Sequence, residues 1–306
     1  MDYSLIIPVY NGEHTVRPLM QKISSFFDQT NYTYEVIFVY DCGPDNSWNI
    51  LLQLKDEYKD LVKLVKLSRN FGQHNALICG FEYAQGDFII TMDEDLQHDP
   101  FDIKLLIDKQ REDNADVVYG IYEVKMHNRF RNITSRIMKW LVKVGIPELD
   151  ANYSAYRLIK ADMARATVNM RNSYTFLDGY LSWITTNTSS CLVSHHNRLA
   201  GVSSYNIKKL VTHSINIFVT FSDLPIKIVS WLSFIFLIFT GGYSLVMLLK
   251  KLIYNDVLPG FTSLVILLGF GIGALLFSIS ILGQYLYRIN LKTTKRPNYN
   301  IEKTVE

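Results

Sequence analysis

The sequence predicts an α/β domain with a doubly wound, mostly parallel sheet, followed by a segment that spans a membrane. Over the first ~120 residues, short apolar runs alternate with longer amphipathic stretches, the pattern of parallel strands joined by crossover helices. From about residue 225 the composition changes to long apolar runs with few charges. The chain of 306 residues, 48% of them hydrophobic, has room for one large domain and an appendage.

The predicted strands and helices of the first domain alternate along the chain. Strands are expected at residues 3–9, 34–39, 62–67, 87–92 and 116–119, and helices near residues 14–27, 46–58, 73–84 and 101–113. The second helix follows Asp45-Asn46-Ser47 and the fourth follows Asp99-Pro100, which are residue types that favour helix starts. Because doubly wound sheets bind ligands at the carboxyl ends of their strands, the polar residues directly after each strand are the candidates for a site.

Two segments of the second half are long and apolar enough to cross a bilayer, which takes ~20 apolar residues. They extend from about residue 226 to 249, with Lys227 near the start, and from about residue 262 to 286, with no charge before Arg288. Two spans return the chain to its starting side. The basic residues that follow predict a cytosolic tail at residues 291–306, although Lys250 and Lys251 in the connecting loop oppose this. The alternative is two buried core helices of a soluble protein.

Further features predict that residues 1–209 form a cytosolic domain. The N-terminus has no basic region followed by an apolar run, so we expect no secretory signal. The three cysteines are far apart and odd in number, which argues against a disulfide framework. Residues 210–224 alternate apolar with polar side chains next to Lys208 and Lys209, which predicts an amphipathic helix in the membrane interface.

Two carboxylates separated by one residue follow the fourth predicted strand. Asp93 and Asp95, with Gln97 after them, supply carboxylate and amide oxygens, which are hard ligands suited to Mg²⁺ or Mn²⁺. An ion held there can neutralise the charge that develops on a departing nucleotide diphosphate. The alternative is an ordinary solvated acidic string. The position directly after a buried strand favours the metal site.

Polar residues after the first two strands could meet a nucleotide. The first strand ends at Tyr10-Asn11-Gly12, where backbone and a tyrosine ring could contact a nucleobase. Asp41 ends the second strand and could accept a hydrogen bond from a base N–H. The alternatives are a simple turn at Asn11-Gly12 and a helix-capping or solvated carboxylate at Asp41. Taken separately, these residues leave the alternatives open.

Four ordered motifs give the sequence a specific resemblance. They are Pro8-Val9-Tyr10-Asn11, Asp41-Cys42-Gly43-Pro44-Asp45-Asn46-Ser47, Leu67-Ser68-Arg69-Asn70-Phe71-Gly72-Gln73-His74-Asn75-Ala76 and Met92-Asp93-Glu94-Asp95-Leu96-Gln97. As a set in this order, they resemble glycosyltransferase family 2 and, within it, the polyprenyl-phosphate glycosyltransferases, over nearly the whole chain. The resemblance implies a GT-A type, Rossmann-like fold with two C-terminal transmembrane helices.

The same resemblance implies an activity, partners and a location. The activity would be the inverting transfer of a sugar from a nucleotide donor, UDP by expectation, to a polyprenyl phosphate such as undecaprenyl phosphate, with Mg²⁺ or Mn²⁺ as cofactor. The enzyme would be a multi-pass protein of the inner membrane, working in cell-envelope biogenesis, and relatives suggest a homotetramer. Glucose, N-acetylglucosamine, galactose and aminoarabinose all stay open as the donor sugar, because sugar contacts come from variable loops.

Site residues are carried over from the family by position. Donor-nucleotide positions are matched by Pro8, Tyr10, Asn11, Glu13, Asp41, Arg69 and Gln73, and metal positions by Asp93, Asp95 and Gln97. Acceptor-phosphate positions are matched by Arg131, Ser135, Arg198 and Ser203. Asp93, Asp95 and Asp150 are the expected catalytic residues, although Asp150 is one residue out of register with the family's acid. Departures from the family pattern are Tyr40 for an acid, Gly43 for a serine, Tyr122 for an arginine and Ser204 for a lysine.

Two other readings compete with a lipid-phosphate glycosyltransferase. A processive polysaccharide synthase would share the front motifs, but the sequence contains neither a Gln-x-x-Arg-Trp motif nor the additional spans of a channel. A non-catalytic membrane scaffold is disfavoured by the intact Asp93, Asp95 and Arg69. The net charge of +2 gives no general basic surface, so we expect no nucleic-acid partner.

Overall fold

The chain is described by a computed structural model that forms two compact units. The described residues are 1–122, 146, 148–150, 152–170, 174–194, 212, 215–216, 220–222, 227–229, 231–232, 234–236, 238, 242, 249, 253, 261–293 and 297–306. The first unit combines Met1–Ser214 with Pro297–Glu306, and the second is Ile215–Arg296. Both ends of the second unit are therefore joined covalently to the first.

The first unit alternates strands and helices, as predicted. In chain order they are β1 (Tyr3–Val9), α1 (Val16–Phe27), β2 (Tyr34–Tyr40), α2 (Ser47–Tyr58), β3 (Val62–Leu67), α3 (Gln73–Tyr83), β4 (Phe88–Thr91), α4 (Ile103–Asp113), β5 (Val117–Tyr122), β6 (Arg157–Lys160), α5 (Ala161–Val168), α6 (Leu177–Ile184), β7 (Thr188–Val193) and, after the second unit, β8 (Ile301–Val305). The second unit contains α7 (Phe261–Thr293). Within residues 1–122, the predicted strands and helices are all present, with ends that differ by at most three residues.

The strands form one mixed sheet in the order β7-β5-β6-β4-β1-β2-β3-β8. The pairs β1–β2, β1–β4, β2–β3 and β5–β7 are parallel, whereas β6 and β8 run antiparallel to their neighbours. This arrangement confirms the predicted mixed, mostly parallel α/β sheet. The carboxyl ends of β1, β2, β3 and β4 lie along one rim, because these four strands are mutually parallel.

The centre of the sheet is covered by helices on both faces. Alternate residues of β1 point to opposite faces, so its two sides can be followed separately. Leu5 and Ile7 belong to the same core cluster as Leu19 of α1. Ile6 faces α3, where a Cβ built on Gly80 would lie 2.4 Å from an Ile6 methyl group. Burial on both faces explains why β1 reads as a continuous apolar run.

Three strands, β6, β7 and β8, were not predicted from the sequence. The largest difference concerns residues 291–306, which were expected to form a cytosolic tail. Residues 301–305 instead pair antiparallel with β3. The Ser68 N–H donates to the Asn300 carbonyl (2.9 Å), and Lys66 forms an ion pair with Glu302 (2.7 Å). A strand of five residues carries little local signal, since most of its stabilisation comes from the partner strand.

The second unit contains one helix, among the described residues, that is long and apolar enough to cross a membrane by length and composition. This stretch is Gly271–Ile289 within α7. A shorter apolar helix covers Lys227–Phe236. Most of the predicted interfacial helix at 210–224 and much of the first predicted span at 226–249 lie outside the described residues. The pair of transmembrane helices therefore stays a prediction.

Candidate active site

The acidic turn, residues 93–97 shortly after β4, is fixed by hydrogen bonds from its backbone N–H groups to side chains. The Asp93 N–H donates to Nδ1 of His98 (3.0 Å), and the Gln97 N–H donates to Oδ1 of Asp95 (3.1 Å). Leu96 is buried and has a φ of 63°. This left-handed conformation costs a non-glycine residue about 1–3 kcal/mol and persists only where the surroundings enforce it. Such strain is common at ligand-binding sites, and Cys42 after β2 also has a positive φ, as do Lys59 and Asn114 at helix ends.

The buried side chain of His98 packs beneath the backbone of the acidic turn and accepts a hydrogen bond from it. The side chain is only 4% exposed, and its ring stacks on Tyr156 at 4.8 Å and on Tyr122 at 6.0 Å between ring centroids. Because Nδ1 accepts the Asp93 N–H, the neutral imidazole carries its proton on Nε2. Burial and then the charge of Asp93 raise the pKa of Tyr122. The family commonly has arginine at this position. Tyr122 instead contributes an aromatic ring beside the acidic turn and no positive charge.

The acidic turn concentrates negative charge. Burial, followed by the charges of Asp93 and Asp95, raises the pKa of the Glu94 carboxyl to about 7. The polar backbone of Glu94 itself and of Tyr10 opposes the rise. A cation bound at the turn would relieve the repulsion between these carboxylates. The electrostatics of the turn therefore favour a positive charge.

The helix α3 begins beside the acidic turn. Its first residue, Gln73, donates from Nε2 to Oδ1 of Asp93 (2.6 Å). The next residue, His74, accepts the Leu177 N–H on Nδ1 (3.4 Å). Since Leu177 is the first residue of α6, the starts of α3 and α6 lie next to each other. Gly72, before the helix, has a φ of 91°, which glycine adopts without strain. The structure thus brings Gln73, predicted to bind nucleotide, into contact with Asp93, predicted to bind metal.

Asp41 holds the β3 loop, residues 68–72, which leads from β3 into α3. Its two carboxylate oxygens accept the N–H groups of Phe71 (2.7 Å) and Gly72 (2.8 Å), and only 3% of the residue is exposed. Burial raises the pKa of Asp41, and the two N–H donors oppose that rise. The exposed Arg69 of the same loop lies over the Phe71 ring, 4.7 Å from its centroid. Asp41 therefore caps backbone N–H groups, and its contact with a nucleobase stays a prediction.

The β1 loop, residues 10–13, is tied to the start of α2. The Gly12 N–H donates to Oγ of Ser47 (2.9 Å), and the Glu13 N–H donates to Oδ2 of Asp45 (3.0 Å). Asp45 in turn accepts the Ser47 hydroxyl (2.7 Å). The Asn46 N–H donates to the Glu13 carboxylate (3.3 Å), so both the backbone and the side chain of Glu13 serve this connection.

Two aromatic residues and one glycine shape the surface of the β1 loop. Tyr10 is 40% exposed, and Asn11 is exposed beside it. A Cβ built on Gly43 would lie 1.5 Å from the Tyr10 carbonyl oxygen, so only glycine fits where the family commonly has serine. The Tyr40 hydroxyl donates to the Gly43 carbonyl (2.5 Å). Pro8 lies beyond the last residue of β1 that pairs with β4, so its missing N–H costs no hydrogen bond to β4.

Asp150 lies in a turn whose hydrogen bonds engage both of its carboxylate oxygens. Oδ1 accepts the Asn152 N–H (2.8 Å), and Oδ2 accepts the hydroxyl of Thr188 on β7 (2.8 Å). These contacts fix the turn against an edge strand, and a catalytic role for Asp150 stays a prediction. The four residues predicted to bind the acceptor phosphate lie outside the described residues: Arg131, Ser135, Arg198 and Ser203.

A buried ion pair near the same rim was not predicted. Arg157 on β6 and Asp178 in the first turn of α6 are each 2% exposed, with Nη1 and Oδ1 3.5 Å apart. Arg157 Nε also donates to the Ser154 carbonyl (2.7 Å). Burial raises the pKa of Asp178, and the Arg157 charge opposes the rise. One feature of the sequence could have indicated this pair: Asp178 lies in the otherwise apolar start of α6. A buried carboxylate needs a partner of opposite charge, so an aspartate in such a segment predicts one.

The sequence profile described as Glycosyl transferase family 2 matches residues 4–171, which is more than half of the chain. The chain belongs to glycosyltransferase family 2. It is therefore a transferase, and the resemblance found from the motifs is confirmed.

Relatives match this family 2 glycosyltransferase over almost its whole length. It is 29% identical over 307 residues to the uncharacterized glycosyltransferase YkcC of Bacillus subtilis, covering 99% of this chain and 94% of that one. It is also 29% identical over 308 residues to the undecaprenyl-phosphate 4-deoxy-4-formamido-L-arabinose transferase of Serratia proteamaculans, covering 99% and 93%.

A solved structure shares the fold of this glycosyltransferase. It is glucosyl-3-phosphoglycerate synthase from Mycobacterium tuberculosis in complex with Mn²⁺, UDP-glucose and phosphoglyceric acid. The TM-score is 0.51 at 15% identity, over 72% of this chain and 78% of that chain. At this identity the likeness supports a GT-A-like fold and nothing finer.

The oxygen ligands of this glycosyltransferase fit a divalent cation. Asp93 and Asp95 supply carboxylates, and Gln97 supplies an amide oxygen within the same strained turn. Among the residues that the structure describes, no three His, Cys, Asp or Glu side chains gather into a complete cation cage. Mg²⁺ and similar ions are usually held by one or two carboxylates together with water and substrate phosphates, so an incomplete protein cage suits them.

Proposed function

We propose that this protein transfers a sugar from a UDP-sugar to undecaprenyl phosphate, with inversion at the anomeric carbon. The observation that carries the proposal is the acidic turn at the end of β4, held by Gln73 and His98. A family 2 glycosyltransferase needs a cation site there for the departing diphosphate. The choice of acceptor is supported by the undecaprenyl-phosphate transferase of Serratia proteamaculans, which matches 99% of this chain.

The nucleotide of the donor would bind across the β1 and β3 loops. Tyr10 and Asn11 are exposed on the β1 loop and offer a ring and an amide to a nucleobase. Arg69 is exposed on the β3 loop and offers a positive charge to the diphosphate. Asp41 fixes the loop that carries Arg69, through the Phe71 and Gly72 N–H groups. Both loops lie at the carboxyl ends of parallel strands, where such sheets bind nucleotides.

Six further residues would complete the donor side. Pro8 lies beyond the end of the β1–β4 pairing, and Glu13 ties the β1 loop to α2, so both would act by position. Asp93, Asp95 and Gln97 would hold Mg²⁺ or Mn²⁺. When bound, the cation would neutralise the charge that develops on the leaving diphosphate. The Gln73 amide donates to Asp93 and so fixes the orientation of a cation ligand.

The acceptor needs little chemical activation. A phosphate monoester has a second pKa of ~6, so its oxygen is largely ionised at neutral pH. That oxygen forms the bond to the anomeric carbon while the bond from this carbon to UDP breaks, and the electron pair leaves with UDP. Positioning and neutralisation of charge would then dominate the rate. Asp150, with both oxygens engaged by Asn152 and Thr188, would support the geometry more than abstract a proton.

The membrane arrangement follows from chain connectivity. Ser214 and Pro297 both belong to the first unit, and a folded unit lies on one side of a membrane. The segment between them must therefore cross the bilayer an even number of times. One crossing would be Gly271–Ile289, and the apolar residues 226–249 would supply the second. Basic residues after α7 favour the cytosolic side of the inner membrane for the catalytic unit.

The acceptor phosphate would be held at the membrane surface. Arg131 and Ser135 are four residues apart, a spacing that puts both on one side of a helix, and Arg198 and Ser203 would complete the site. A lipid acceptor is confined to the bilayer, so tethering of the catalytic unit raises the local concentration of acceptor. By analogy with its family, the protein would work as a homotetramer.

The test is a reaction with defined substrates. Detergent-purified protein is given Mn²⁺, undecaprenyl phosphate and a panel of UDP-sugars, and both UDP release and the mass of the lipid are measured. We expect a lipid-phosphate-sugar with the wild type and none with Asp95→Asn. Asp108→Asn is the matched control, since it removes an exposed carboxylate on α4 away from the acidic turn. Equal turnover by Asp95→Asn would contradict the assignment of the acidic turn.

A further inference from the structure

We propose that residues 297–306, the β8 segment, are a positioning element of the donor site. By pairing with β3, this segment would hold the β3 loop so that Arg69 is presented to the diphosphate of the donor. The proposal rests on the proposed function, because that function assigns the diphosphate to Arg69.

β8 holds the end of β3 after the pairing with β2 has stopped. The pairing between β2 and β3 ends at Lys66. The next residue, Leu67, pairs with Ile301 of β8. The Ser68 N–H then donates to the Asn300 carbonyl (2.9 Å), one residue beyond the end of β3. The first residue of the β3 loop is therefore held by the β8 segment.

A β-bulge lies where β3 passes into the β3 loop. The register of the pairing shifts between Lys66 and Leu67, which leaves Glu302 as the extra residue on β8. The Glu302 carboxylate forms an ion pair with Lys66 across the two strands (2.7 Å). Bulges bend a strand and are over-represented next to active sites. The irregularity in β8 thus coincides with the start of the loop that carries Arg69.

The same segment is tied to α3, the helix that follows the β3 loop. The Tyr299 hydroxyl donates to Oε1 of Glu82 in the last turn of α3 (2.6 Å). The Asn298 side-chain amide donates to the Met170 carbonyl, shortly after α5 (2.9 Å). Because the β3 loop connects β3 with α3, the β8 segment contacts both of the elements that the loop joins.

The β3 loop is consequently fixed at both ends. Asn300 accepts the Ser68 N–H at its start, and Asp41 accepts two N–H groups at its end. The exposed Arg69 lies between these two points. A loop that is ordered in advance loses less conformational freedom when a ligand binds. Release of β8 should therefore weaken the contact of Arg69 with a diphosphate and spare the β1 loop, which is tied to α2.

The test compares UDP with uridine, which has no phosphates and reports on the β1 loop. Deletion of residues 300–306 removes β8 and the Asn300 acceptor and keeps Asn298 and Tyr299. We expect the deletion to weaken UDP binding about tenfold, the low end of what loss of a hydrogen bond to a charged group produces. Uridine binding should stay within about twofold of the full chain. Both affinities are measured by calorimetry on detergent-purified protein, below the Tm of the variant.

A double-mutant cycle tests whether β8 acts through Arg69. Arg69→Ala alone should lower UDP affinity and leave uridine affinity unchanged. When the deletion is added to Arg69→Ala, UDP affinity should fall no further, because the residue that β8 positions is already absent. Two independent contributions to UDP binding would instead add.

A milder variant and a control accompany the deletion. Ile301→Gly keeps the segment but weakens its pairing, since glycine is unfavourable in a strand, and should lower UDP affinity about threefold. Lys303→Ala removes an exposed charge from β8, keeps its backbone and should match the wild type. Hydrogen exchange of peptides covering residues 67–72 should be faster in the deletion variant and in Ile301→Gly, and unchanged in Lys303→Ala.

Three outcomes overturn the proposal. Equal losses of UDP and uridine affinity in the deletion variant would show that β8 only supports the fold of the whole unit. A further loss on adding the deletion to Arg69→Ala would show that β8 acts elsewhere. Wild-type UDP affinity in the deletion variant, with Arg69→Ala impaired, would overturn this proposal and leave the proposed donor intact. If the deletion variant does not fold, the same comparisons on Ile301→Gly decide, and a full chain that binds neither UDP nor uridine would overturn the proposed donor as well.

Discussion

Asp41 offers the sharpest test of how the site is built, because one carboxylate holds a whole loop. Its two oxygens accept the N–H groups of Phe71 (2.7 Å) and Gly72 (2.8 Å), and it is 3% exposed. Asp41→Ala would leave two backbone donors of the β3 loop without their acceptor. The loop carries Arg69 and leads into α3, whose first residue, Gln73, contacts Asp93. The substitution should therefore affect the site at some distance from residue 41.

The magnitude follows from the two lost hydrogen bonds. A buried donor left unsatisfied costs about 1–3 kcal/mol, and partial access of these two N–H groups to water favours the low end, about 2–4 kcal/mol for the pair. For a domain of this size, 1 kcal/mol corresponds to about 2–4 °C in Tm. Asp41→Ala should lower Tm by roughly 4–16 °C. Asp41→Asn should have a smaller effect, since it keeps one acceptor and removes a carboxylate whose pKa burial raises.

Hydrogen exchange gives the direct assay. Mass spectrometry of peptides covering residues 68–72 should show faster amide exchange in Asp41→Ala, with little change in peptides of β1. UDP affinity should fall in parallel, because the loop must be ordered before it can bind. Wild-type exchange in this peptide, together with a wild-type Tm for Asp41→Ala, would refute the role assigned to Asp41.

Three further predictions concern the β1 loop, the acidic turn and the last strand. Gly43→Ala should abolish UDP binding, because its Cβ would lie 1.5 Å from the Tyr10 carbonyl oxygen, whereas Gly273→Ala, with no atom within 4 Å of its Cβ, should bind UDP normally in the same calorimetric assay. The pKa of Glu94 is raised from 4.5 to about 7, so its contribution to folding is complete below about pH 4.5 and is lost as the pH rises through about 7. Without divalent cations, Glu94→Gln should therefore have a higher Tm than the wild type at pH 8 and a similar Tm at pH 4.5; an equal difference at both values would contradict this. Deletion of residues 297–306 should lower Tm and promote aggregation, because it exposes the edge of β3, and light scattering equal to that of the full chain would count against it.

The first 122 residues were predictable because their signals are local. β1 and β2 read as apolar runs bounded by polar turns, and the helices between them begin at ordinary start residues. β8 was missed for the opposite reason. Five residues with three exposed side chains form a strand only because β3 lies beside them, and β3 is distant in the sequence.

The positions of the candidate residues on the rim were predictable, but their contacts were not. Asp41 and Asp93 each follow a strand, and for that reason the sequence predicted that both lie on the rim, as they do. The sequence could not reveal that the Asp41 oxygens would bind the N–H groups of the β3 loop, because that depends on a loop conformation without periodicity. His98 was overlooked because its role depends on a neighbour from another element, Tyr156 in the chain before β6.

The mass of the lipid recovered after reaction with a UDP-sugar is the decisive measurement for the proposed reaction. We expect undecaprenyl phosphate to gain the mass of one sugar and UDP to appear in equal amount. Both should require a divalent cation, and Asp95→Asn should give neither. Release of UDP while the lipid mass stays unchanged would contradict a polyprenyl-phosphate acceptor, and unchanged product formation by Asp95→Asn would contradict the acidic turn as the centre of the site.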